Sequence, residues 1–200
     1  MTDPSRAAAR ASARTRILDA AVRRIAREGI DDVRIARIAT DAGVSPSLVH
    51  YHFDSRDALL AEALEHSYER AGDVRIGDAD EGAPAAERLR AMIDQCLPAP
   101  GPLEDDFILW VELWLRAARR PELRATSARL YGRMHDWFRD ALAEADGRGE
   151  LAVPDPDATA DHVLALCDGY GIRVLCGDPA MPRERARDAV WRALAAELGR

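Results

Sequence analysis

Between Ile35 and Phe53 the chain reads IARIATDAGVSPSLVHYHF, and its hydrogen-bonding side chains gather on the second half of that segment. Ser45 and Pro46 open this half: serine is a favoured helix N-cap, and proline suits the first helical turn. After them, Ser47, Leu48, His50, Tyr51 and His52 are expected on the outward face of a helix whose other side carries Val44, Val49 and Phe53. Such a helix end attracts phosphate, and short polar side chains there reach base edges in a DNA major groove. The chemistry on offer is recognition by hydrogen bonding. His50 and His52 do not read as a metal pair, because i, i+2 spacing sends them to different helix faces.

The elements that must hold this face are also spelled out. Ala39, Gly43 and Val49 have the spacing of two helices crossing steeply through a short turn. The small residue sits where the helices meet, the glycine takes the positive-φ corner, and the β-branched residue packs back. Ile35, Ile38, Ala42, Val44 and Val49 supply the apolar inner face. A preceding helix is predicted from about Ser12 to Glu28, with Leu18, Ala21, Val22 and Ile25 on one side and Gly29 as its stop. Arg14, Arg37 and Arg56 flank the outward face and have no apolar position to fill, so they are expected on phosphate. A helical hairpin inside a larger bundle is the alternative. Against it stand the short segment, its arginine-rich neighbourhood and its few outer apolar residues.

Charge distribution agrees. The net charge is −7, yet residues 1–56 carry +3 and the remainder −10. A basic end on an acidic body suits a module that faces nucleic acid. All 28 basic residues are arginine, so every phosphate contact would be a planar, multi-donor fork.

The rest of the chain reads as helix throughout. Alternating β-branched runs are absent, while Pro84, Pro102, Pro121 and Asp155-Pro156 each open a helical pattern. GDADEGA at 77–83, PAPGP at 98–102, GRGE at 147–150 and GDPAMPR at 177–183 separate them. About nine helices result, an all-α fold. From about 104, the apolar positions Phe107, Trp110, Val111, Trp114 and Leu115 follow the i, i+3, i+4, i+7 rule, widened by Leu109 and Leu113. Hydrophobic residues at 48% and charged residues at 32% mark a globular chain. No apolar stretch approaches the roughly 20 residues of a membrane span. The N-terminus has no apolar block of the secretory kind. A cytoplasmic protein with no membrane partner, metal or cofactor is expected. The cysteines Cys96, Cys167 and Cys176 lack metal-type spacing and read as small apolar residues in a reducing compartment rather than as redox sensors. No nucleophile–base pair, glycine-rich phosphate loop or HExxH pattern appears, so no catalytic residue is assigned. The rival readings are a helical dimeric small-molecule binder without DNA function and a helical enzyme.

From Thr15 to Leu60 the chain resembles the N-terminal domain of the TetR family of regulators. Ile17-Leu18-Asp19-Ala20-Ala21, Ile38-Ala39, Ala42-Gly43-Val44-Ser45, His50 to Phe53, and Arg56 with Leu59-Leu60 carry the likeness. Arg34 stands where the family usually has a capping threonine, and joins the expected DNA contacts. His50 stands where a tyrosine is common. LWVELWLRAARRPELRATSARLYGRMHDWFRDAL and LALCDGYGIRVL resemble the C-terminal domain of the family's BetI-type branch; Asp168-Gly169 is kept, and Tyr170 replaces the usual leucine. That branch is broad in effectors, so choline is not implied. The resemblance implies a homodimer through the last two helices, about 156–176 and 184–198, reading an inverted-repeat operator in double-stranded DNA. It also implies repression as the default action.

The expected organisation is therefore a helix-turn-helix domain over 1–56, with a flexible arginine-rich arm over 1–11, and a helical effector-binding and dimerisation domain over 57–200. Trp110, Trp114, Tyr131, His135, Asp168 and Tyr170 are the candidate walls and polar tips of a site for an unknown small-molecule effector, which is expected to release DNA. Trp137 and Phe138 offer further aromatic walls, and Arg173 a second charged group to fix a polar ligand. Aromatics at helical spacing commonly just fill a core. If acids and aromatics converge, a cationic ligand is favoured through cation–π contact.

Overall fold

The computed structural model describes the backbone of residues 4–78 and 83–198, and the side chains of 12–67, 69 and 83–198. Within these residues there are nine α-helices and no strand: α1 (Pro4–Glu28), α2 (Ile35–Ala42), α3 (Pro46–His52), α4 (Arg56–Asp78), α5 (Ala85–Cys96), α6 (Pro102–Arg119), α7 (Arg124–Gly147), α8 (Pro156–Leu175) and α9 (Arg183–Glu197). A 3-10 turn, Pro121–Leu123, leads into α7. The all-α expectation holds. Helix α1 begins at Pro4 rather than near Ser12. The side chains of the expected arm, 1–11, and residues 79–82 of the expected linker lie outside the described residues. No helix among the described residues is long and apolar enough to cross a membrane.

The chain forms two compact units. The first comprises Met1–Gly72 and Ile108–Thr126; the second comprises Asp73–Phe107 and Ser127–Arg200. In the first unit, α1 packs on α2 and α2 on α3. Its core is Ile17, Leu18, Ala21, Val22, Ile25, Ile38, Ala39, Val49 and Phe53, with Leu59, Leu60 and Leu64 from α4. Each buried leucine or isoleucine contributes about 1.5–3 kcal/mol over its exposed state. Ser55 Oγ accepts from Ala58 N at 3.0 Å at the start of α4.

In the second unit, α8 packs on α9, and α5 on both. Leu89, Ile93, Leu130, Phe138, Leu142, Val163, Leu164, Val190 and Leu194 are buried there. Asp155 caps α8, its Oδ1 accepting from Ala158 N at 3.0 Å, with Pro156 in the first turn. Gly171 of α8 is buried against Phe107; a Cβ built there would run into the ring's Cζ. Glycine is what allows that approach.

Helix α6 differs from the expected stripe. Leu109 and Leu113, with Phe107, Arg116 and Ala117, are the buried residues, while Trp110, Val111 and Trp114 are half-buried and Leu115 is 52% exposed. The helix is apolar over more than half its circumference, and the inward direction lies on the side of Leu109 and Leu113.

Candidate nucleic-acid interface and ligand site

Helix α3 is fixed at its N-terminal end. Ser45 Oγ accepts from Leu48 N at 3.3 Å, and Pro46 occupies the first turn. Gly43 sits at φ 64°, ending α2 in the left-handed conformation that glycine adopts without penalty. The steep crossing rests on Ala39 and Val49, each 1% exposed. Arg24 of α1 binds Asp41 of α2 at 2.5 Å and Glu28 at 2.6 Å. These hydrogen bonds hold both carboxyls below the usual carboxylate range.

Val49 is the buried residue of α3. Ser45, Pro46, Ser47, His50 and Tyr51 are exposed, Tyr51 at 65% despite its ring, and Leu48 is half-buried. His52 is turned further in: its ring lies 6.1 Å from Phe53 and 5.3 Å from Tyr51, and its Nε2 is shielded from solvent without a hydrogen-bond partner. The flanking arginines are exposed and also engaged within the protein. Arg14 pairs with Glu62 and lies over the Phe53 ring. Arg37 pairs with Glu28 at 3.1 Å, and Arg56 donates to the Asp31 carbonyl at 2.5 Å. Arg34 is exposed at the N-cap of α2 and makes no side-chain cap bond.

A further arginine escapes sequence reasoning. Arg116 of α6 is 8% exposed; it pairs with Asp31 in the α1–α2 turn and with Asp57 of α4 at 2.7 Å, and Arg120 pairs with the same Asp57. The partners lie 85 and 59 residues away, beyond any helical spacing rule. The one available signal was an arginine inside the apolar part of α6.

The ligand candidates divide. Trp110 and Trp114 form a tilted pair, ring centroids 5.9 Å apart, in the first unit. Tyr131, His135, Asp168 and Tyr170 belong to the second. There the Tyr131 hydroxyl donates to Asp168 Oδ2 at 2.9 Å, joining α7 to α8. Burial lifts the Asp168 carboxyl to about 6, against the lowering effect of that hydrogen bond. Burial and the neighbouring Asp168 charge push the Tyr131 phenol up. His135 Nε2 lies 3.3 Å from the Asp157 carbonyl and 3.6 Å from Asp161, and Tyr170 is half-buried. Arg173 points elsewhere, to Asp178 at 2.7 Å, and Phe138 is core. A separate depression of about 250 Å³ is lined by Arg90, Ile93, Asp94, Arg187, Asp188 and Trp191, none of them a candidate.

A capped second helix with an exposed polar face, packed on the helix before it, has the build of a helix-turn-helix regulator. Residues 17–63 match the family model of bacterial regulatory proteins, tetR family, and residues 85–199 match that of the BetI-type transcriptional repressor, C-terminal. The HTH-type transcriptional regulator BetI of Brucella suis biovar 1 is 29% identical over 169 residues, covering 84% of this chain and 82% of that protein. BetI 1 of Chromohalobacter salexigens is 26% identical over 192 residues, covering 94% and 91%. Among solved structures, a transcriptional regulator from Saccharomonospora viridis in complex with choline is 32% identical, with a TM-score of 0.82, covering 94% of this chain and 98% of that one. A TetR-family regulator from Rhodococcus sp. is 31% identical, with a TM-score of 0.81, covering 94% and 100%. The chain belongs to the TetR family of transcriptional regulators, with a BetI-type C-terminal domain. Regulators of this family bind DNA and small-molecule effectors.

Proposed function

We propose that this chain is a cytoplasmic, non-enzymatic repressor whose homodimer holds an inverted-repeat operator until a small organic cation releases it. The outward face of α3 carries the reading: Ser47, His50 and Tyr51 stand in solvent on a helix anchored through Val49. Residues 1–56 read DNA, and 57–200 sense and dimerise. His50, Tyr51 and Ser47 address bases, with Leu48 and His52 at the edge of the contact. Ser45, Pro46, Arg14, Arg34, Arg37 and Arg56 address the backbone, the paired arginines exchanging a carboxylate for phosphate.

For the homodimer, the support is a stripe on α8. His162, Ala165, Gly169, Ile172 and Cys176 are all exposed and alternate in steps of three and four, the spacing of a helix–helix seam. For the effector, the support is Asp168. A half-buried carboxylate held by a tyrosine hydroxyl, with desolvation raising its proton affinity, gains when a cation arrives. Tyr131 supplies an aromatic face of the type that holds quaternary ammonium groups, whereas Tyr170, two residues on from Asp168, lies on another face of α8. The choline complex of the Saccharomonospora viridis relative makes choline the first compound to test.

Selecting bound sequences from random DNA with the purified protein tests the reading. Enrichment of an inverted repeat, with half-sites about one or more helical turns apart and affinity falling steeply with salt, is expected. Failure to enrich any sequence contradicts it.

A further inference from the structure

Arg16 of α1 is exposed and stands one residue before the buried Ile17. Its Nε donates to the Ala42 carbonyl at 3.0 Å, and its Nη1 donates to Ser12 Oγ, four residues earlier on α1, at 3.0 Å. Ala42 is the last residue of α2 and 4% exposed. We propose that Arg16 is a positioning residue for DNA recognition: it ties the main chain at the end of α2 to α1 and so fixes the direction in which α3 leaves the turn.

The need for such a tie follows from how α2 ends. Gly43 N–H donates to the Thr40 carbonyl at 3.1 Å, and Val44 N–H to the Ala39 carbonyl at 2.9 Å, which is the Schellman pattern. It satisfies two of the carbonyls that a helix leaves open at its end. In a continued helix the Ala42 carbonyl would accept from residue 46, and residue 46 is a proline with no N–H. The donor comes instead from Arg16, across the α1–α2 contact. A cationic donor makes a stronger bond to a carbonyl than a neutral one, and losing it strands an acceptor on a buried residue.

Only Gly43, Val44 and Ser45 separate Ala42 from α3. Displacement of the Ala42 end is therefore passed to Ser47, His50 and Tyr51 with little chain to absorb it. Arg24 also joins α1 to α2, but through the Asp41 side chain, which can change rotamer while the main chain shifts. Arg16 grips the main chain itself. Two of its three guanidinium nitrogens are committed within the protein, so its part is geometric rather than that of a charge offered to phosphate.

Arg16→Met keeps the stem of the side chain and removes the donor. Affinities of wild type and variant for the selected sequence and for a scrambled duplex, by fluorescence anisotropy across a salt series, test the clamp. The preference for the selected sequence should fall roughly fivefold or more, while affinity for the scrambled duplex changes by less than about twofold. The log K against log salt slope should stay as in wild type, since no phosphate contact is lost. A smaller folded fraction would lower both affinities alike and leave the preference intact, so loss of structure does not imitate this result. Ser12→Ala, at an exposed position, loosens Arg16 and should move the preference in the same direction by less. Arg16 can act this way only if α3 reads DNA: a wild type without preference overturns that reading, and the clamp with it. A discriminating wild type beside an equally discriminating Arg16→Met overturns the clamp alone, as does an equal loss on both duplexes with a slope flatter by about one unit.

Discussion

His50 and Tyr51 are exposed, so truncating either tests recognition without touching the core. His50→Ala or Tyr51→Ala is expected to weaken operator binding by about 1–3 kcal/mol per half-site with an unchanged thermal midpoint. If Arg37 contacts phosphate as proposed, neutralising it should lower affinity for every sequence alike and flatten the log K against log salt slope by roughly one unit. Anisotropy titrations across a salt series read both effects. Asp168 makes a pH prediction of defined sign. Its folded value, about 6, lies above the ordinary carboxylate value of 3.8, so the folded state holds the proton more tightly than the unfolded chain. Its contribution to stability is full below about 3.8 and is lost as pH rises through about 6. Asp168→Asn should therefore stabilise the ligand-free protein at pH 7, by roughly 1–3 kcal/mol, while weakening cation binding. In wild type, affinity for a cationic effector should fall as pH drops below about 6. Denaturation and ligand titrations at pH 5 and pH 7 check each arm.

At the scale of elements, the helix-turn-helix was legible because local rules built it. Ser45, Pro46, Gly43, Ala39 and Val49 act within a few residues of one another, through capping, a positive-φ corner and a close crossing. Helix α6 was less legible. Phe107, Trp110, Val111, Trp114 and Leu115 make an acceptable helical stripe, but so do Leu109 and Leu113 with Arg116 and Ala117; only tertiary packing selects between them. A buried arginine whose acids lie in α4 and the α1–α2 turn has no local signature. Arg116→Met tests what that side chain does. Asp57 keeps Arg120 and Asp31 is largely exposed, so the loss of stability should be only about 1–2 kcal/mol. Operator affinity should still fall, because the turn leading into α2 loses its brace. An unchanged affinity would show that the brace serves stability alone. Gly171→Ala, by contrast, forces the buried Phe107 ring aside and should cost about 1–3 kcal/mol in chemical denaturation. Gly169→Ala meets nothing within 4 Å and should not be destabilising in the monomer.

For the whole molecule, a two-fold assembly and a reading head at one end of the chain go together, since two recognition helices must be spaced for two half-sites. Ile172→Arg places a charge in the exposed α8 stripe. It should shift the protein toward monomer in analytical ultracentrifugation and reduce operator affinity severalfold or more at fixed protein concentration, with helix content unchanged. A dimer that survives this change would place the interface elsewhere.

Release by ligand requires that the effector bind the DNA-incompetent arrangement better than the competent one; a hundredfold effect corresponds to about 2.7 kcal/mol of coupling. The most direct measurement is the affinity of the wild-type protein for its selected DNA, by fluorescence anisotropy, with and without a saturating organic cation that binds the protein. The account predicts at least a tenfold loss of operator affinity on saturation, and little loss in Asp168→Asn at the same ligand concentration. A cation that binds tightly yet changes operator affinity by less than twofold in the wild-type protein would contradict it.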